Sequence, residues 1–80
     1  MTRQEAYEHV LHRLQKPENV QKRLDAEREL GIGIRWHLNR AKEMLTIIPE
    51  AEEPQKTLYK DTFSVSIREV QRMMDEQGWA

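Results

Sequence analysis

The sequence predicts an all-α fold: a small three-helix domain with a long central helix and a short C-terminal helix, expected to dimerise. Three observations predict it. Apolar residues recur at helical rather than alternating spacing, two capping-box patterns mark helix starts, and the 3 prolines and 3 glycines fall at a few punctuation points. Dimerisation is expected because a chain of 80 residues with 0 cysteines builds a small core, worth roughly 3–5 kcal/mol net, and cannot reinforce it with disulfides.

The first helix is expected over about residues 3–15. Thr2 and Glu5 have the capping-box spacing, in which each side chain satisfies an amide that the first helical turn leaves open. Tyr7, Val10, Leu11 and Leu14 then repeat on one face. Lys16-Pro17 ends the helix, because the residue before proline is pushed out of the helical region, while proline itself suits the first position of the next helix.

The second helix is expected as one element over about 18–46, and its phase supports continuity through the glycines. At 100° per residue, Leu30, Ile34, Leu38, Ala41 and Leu45 fall within about 80° of one another. A turn at Gly31 or Gly33 would have no reason to preserve that register, and interior glycines suit a bend or a close helix-helix approach. Ile32 and Trp36 form a second apolar stripe on the opposite side, flanked by Arg28 and Arg40. Tryptophan with arginine is the composition of binding hot spots, so Ile32, Trp36, Arg28 and Arg40 are the expected partner or dimer interface.

A competing signal runs through the same region. The stretch AERELGI, Ala26 to Ile32, resembles the first helix and turn of bacterial helix-turn-helix domains, where a small residue, a leucine, a glycine and an aliphatic build the turn. That resemblance implies a DNA-binding regulator whose second helix enters the major groove, with Arg35, Asn39, Arg40 and Lys42 contacting base edges and phosphates. The pattern departs after seven residues, where Gly33 and Ile34 stand in place of a polar helix start.

Residues 47–65 are expected to form an acidic, proline-containing loop around Pro49 and Pro54, in which Phe63, Val65 and Ile67 alternate as in a brief extended piece. The last helix is expected over about 67–77. Ser66 and Glu69 form the second capping box, Val65 and Val70 stand at staple positions, and Ile67, Val70 and Met74 share a face until Gly78 stops the helix. The whole is one domain, 1–80.

Charge narrows the functional classes. The net charge is −1, so no global basic field advertises nucleic acid. The halves differ, with excess Lys and Arg over His12 to Lys42 and excess acids from Glu43 onward, a layout that suits attraction within the fold or across a dimer. Glu5, His9 and His12 share an exposed helix face, but three ligands at this spacing fall short of a structural zinc site. No cofactor is expected. Without a phosphate loop, a thiol nucleophile or a recognisable serine-histidine-acid arrangement, no enzyme activity is expected either. No segment has the apolar run of a signal peptide or membrane span, so a cytoplasmic location without membrane contact is the expectation. The leading reading is a non-enzymatic protein-protein interaction or regulatory protein that forms a homodimer and binds a further protein partner.

Overall fold

The computed structural model describes the backbone of residues 1–26 and 32–80 and the side chains of 1–22 and 33–80. Its described residues contain four α-helices: α1 (Arg3–Leu14), α2 (Pro17–Ala26), α3 (Ile32–Ile47) and α4 (Gln55–Glu76), with a 3-10 turn at Ile48–Glu50. No strand occurs among them.

Helix α1 starts as the sequence implies. Glu5 N–H donates to Thr2 Oγ1 at 3.1 Å, and Thr2 N–H donates to Glu5 Oε1 at 3.1 Å, which completes the capping box. Pro17 occupies the first position of α2, one short corner after α1. The helix expected over 18–46 corresponds to α2 and α3, and the seam around Gly31 lies in residues 27–31, outside the described residues.

Helices α3 and α4 form the body of the fold. They run antiparallel, Gly33 lying against Met73 near one end and Arg40 facing Asp61 to Ser66 further along. A Cβ at Gly33 would stand 3.3 Å from Met73 Cε, so the glycine permits a close approach between the helices. The apolar stripe of α3 is its core face: Ile34 and Ala41 are buried, and Leu38 and Leu45 pack against them. Phe63, Ile67, Val70 and Met74 of α4 and Val10 and Leu14 of α1 complete the same core. Helix α1 lies along α4 in the same direction, Thr2 and Ala6 beside Phe63 and Gln71, and Arg13 beside Asp75.

The largest departure from expectation is the C-terminal helix. It is 22 residues long rather than short, and it occupies most of the segment expected to be loop 47–65. The connection is confined to the 3-10 turn and residues 51–54, which include a cis peptide bond at Glu53-Pro54. Once past Pro54 the chain contains no helix breaker until Gly78, and Tyr59, Phe63, Ile67, Val70 and Met74 recur every three or four residues, so burial against α3 stabilises a continuous helix. Ser66 and Glu69 therefore lie mid-helix and cap nothing, Val65 and Val70 form no staple, and the alternation of Phe63, Val65 and Ile67 is not a strand.

Gly78 ends α4 at φ 68°, in a Schellman arrangement. Trp79 N–H donates to Met74 O at 3.0 Å, and Gly78 N–H donates to Asp75 O at 3.0 Å. The turn sends Trp79 back into the core beside Met74, at 5% and 0% exposure. The α1–α2 corner then holds the tail. Arg13 Nη2 donates to Asp75 Oδ1 at 2.6 Å and to Trp79 O at 2.8 Å, Lys16 Nζ to Ala80 O at 3.2 Å and Lys22 Nζ to Gly78 O at 3.4 Å. Asn19, fully buried beneath this corner, donates through Nδ2 to Arg13 O at 2.8 Å.

Candidate interaction surface

The side of α3 away from the α1–α4 core carries the one large aromatic that the described residues leave in solvent. Trp36 is 53% exposed. Helical phase places it well off the Ile34 and Ala41 stripe, so α4 covers only its edge. Arg40, one turn on, lies over the indole with its guanidinium carbon 5.0 Å from the ring centroid, while His37 meets the ring edge-on at 4.8 Å and 80°. Stacking of this kind orients the arginine and still leaves its N–H donors free for an anion.

Trp36 and Arg40 form a ridge between two open depressions. One, of about 320 Å³, lies between α3 and α4 and is lined by Trp36, His37, Arg40, Asp61, Thr62, Val65 and Ser66. The other, of about 470 Å³, lies along α3 and is lined by Trp36, Asn39, Arg40, Glu43 and Met44. Val65 is 50% exposed on the first wall, and Leu58, 62% exposed, stands two turns earlier on the same α4 face. The patch is apolar at its centre, with separate charges at its edges.

On the next turns of α4 one arginine and two glutamates pair within the helix. Arg72 donates to Glu69 Oε2 from Nη2 at 2.7 Å and Nε at 3.1 Å, and to Glu76 Oε1 from Nη1 at 2.7 Å. The Arg72 hydrogen bond and charge hold the Glu69 carboxyl below its ordinary pKa, with smaller attractions from His37 and Arg68. His37 is half-buried at the groove floor, and its Nδ1 has no hydrogen-bond partner among the described residues.

Of the expected interface residues, the structure brings Trp36 and Arg40 together. Arg28 and the side chain of Ile32 lie outside the described residues. Of the residues named for DNA contact, Arg35, Asn39 and Lys42 are exposed on one stripe of α3, whereas Arg40 stands about 140° from Arg35 by helical phase, on the Trp36 side. Asp61, Thr62 and Val65, which build the other wall of the groove, lie in the segment whose prolines and acids read as a loop. The spacing of Tyr59, Phe63 and Ile67 was the signal that could have found them.

His9 and His12 are exposed on α1, and no cluster of three or more His, Asp or Glu able to hold a metal ion occurs among the described residues. Among those residues no helix is long and apolar enough to cross a membrane. No family model, curated protein or solved structure matches this chain.

Proposed function

We propose that the protein is a non-enzymatic helical interaction protein that self-associates through the Trp36–Arg40 ridge and, as a dimer, offers its charged outer faces to a further protein partner. The observation that carries this reading is the exposed indole with an arginine stacked on it, beside exposed Val65. Aromatic and arginine side chains are the residues on which binding free energy concentrates, and a core of this size gains from burial between copies. Light scattering tests it. The wild-type mass is expected at twice the 9.6 kDa chain, and Trp36→Ala is expected to lower it toward one chain. A single-chain mass for both proteins would remove the proposal.

The exposed stripe of Arg35, Asn39 and Lys42 favours one further reading, a DNA-binding regulator using α3. Its test is anisotropy of a labelled duplex at about 50 and about 200 mM salt, because phosphate contacts weaken steeply over that range. Tight, salt-sensitive binding that Arg35→Ala and Lys42→Ala reduce would establish it in place of the protein-interaction reading. Absence of binding at the lower salt would eliminate it.

A further inference from the structure

The groove between α3 and α4 carries two formal charges that have no ion-pair partner among the described residues. Arg40 and Asp61 line it from opposite helices, and Arg40 is held by the Trp36 ring instead. By contrast, Arg72 on the next turns of α4 is fully engaged with Glu69 and Glu76. A patch with an apolar centre, a cation on one wall and an anion on the other is complementary to itself after a half-turn. In a two-fold interface, residue i meets j and j meets i, so one such pair is formed twice.

Resting on the reading of the Trp36 ridge as a self-association surface, we propose that the occupant of this groove is the same groove of a second copy of this chain. Across the two-fold axis, Arg40 of each copy pairs with Asp61 of the other, and Trp36 of each packs on the other's Val65. The dimensions suit a weak dimer. The 16 residues of α3 span about 24 Å, and two packed helices present a face about 20 Å wide, or about 480 Å² in projection. Such a face lies below the roughly 800 Å² per partner of a standard interface, in the range of transient, concentration-dependent association. The apolar centre contributes affinity, while the two ion pairs fix register and penalise misaligned copies.

Charge exchange tests the pairing on the full chain. Arg40→Asp and Asp61→Arg are both exposed substitutions, and each alone places like charges opposite one another twice, so dimer affinity is expected to fall roughly tenfold or more. An equimolar mixture of the two single variants restores both pairs and is expected to recover the dimer mass in light scattering, as is the double variant. Recovery also shows that the single variants are folded. If Trp36→Ala dissociates the dimer but neither charge variant affects it, the pairing is wrong and the Trp36 interface stands. If Arg40→Asp is rescued by Glu43→Arg rather than Asp61→Arg, the axis passes over α3 and the proposal is overturned. A wild-type protein of single-chain mass at every concentration overturns both readings.

Discussion

Trp79→Ala is the most severe test of how this fold is held together. The side chain is 5% exposed and packs into the core containing Met74, which is 0% exposed. A tryptophan buries about 200 Å², and at about 25 cal/mol per Å² its removal from the core costs up to about 5 kcal/mol. Large-to-small core substitutions of aromatics measure about 3–5 kcal/mol, comparable to the entire net stability of a domain of this size, roughly 3–5 kcal/mol. The variant is therefore expected to be unfolded at room temperature, or to melt at least about 12 °C lower, since each kcal/mol shifts the midpoint by about 4–8 °C at this length. Far-UV circular dichroism during heating reads this directly, at one fixed low protein concentration because dimerisation makes the midpoint concentration-dependent. Trp36→Ala under the same conditions is expected to lower the midpoint by about half as much or less, since the half-exposed indole keeps about 100 Å² covered within one chain, worth at most about 2.5 kcal/mol. A Trp79→Ala protein within about 1 kcal/mol of wild type would refute the assignment of the tail to the core.

Two glycine substitutions have opposite expected signs in denaturant titration. Gly78→Ala is expected to cost about 1 kcal/mol, because φ is 68° with nothing within 4 Å to compensate. Gly33→Ala is expected to be neutral or stabilising by up to about 1 kcal/mol, because the new Cβ meets only the flexible end of Met73 at 3.3 Å; a clear loss would show that Met73 cannot yield. At the other end of the chain, the Thr2 backbone amide, with its hydroxyl adding to the effect, holds the Glu5 carboxyl below its ordinary pKa. Because the folded pKa is depressed, its stabilising effect is complete above the unfolded carboxylate pKa and is lost as pH falls through the folded value. A carboxylate titration by NMR should place Glu5 below an ordinary glutamate, and Thr2→Ala, which removes the hydroxyl but keeps the backbone amide, should move it only part of the way back; a wild-type Glu5 at the ordinary glutamate value would exclude the capping box in solution.

The legible parts of the fold are those governed by local chemistry. The Thr2 and Glu5 box, the break at Lys16-Pro17, the core stripe of Ile34 and Ala41 and the stop at Gly78 all follow from residues within about two helical turns of one another. The illegible part was α4. Pro49, Pro54 and the intervening acids mark a loop, but nothing local says that it ends after four residues, and β-branched Thr57, Thr62, Val65 and Ile67 offset the helical spacing. Ser66 and Glu69 also satisfy a capping box in isolation, although the motif acts only where the preceding chain is not already helical. Trp79 was readable in retrospect. An apolar residue just after a helix-terminating glycine normally returns to the residue five positions earlier, here Met74. The groove was half legible: Trp36 and Arg40 share α3 and could be paired from sequence, whereas Asp61 and Val65 reach them only through the antiparallel register of α4.

The clasp at the α1–α2 corner also bears on the order in which the molecule assembles. Arg13 reaches partners 62 and 66 residues away, Lys16 one 64 away and Lys22 one 56 away. The α3–α4 hairpin closes a far shorter loop and supplies most of the buried core residues, so it is expected to act as the nucleus, with contacts spanning most of the chain expected to form after the main barrier is crossed. Weakening the clasp then accelerates unfolding with little effect on the folding rate. On that expectation the seal between the two ends of the chain governs how long the native state lasts rather than how quickly it is reached.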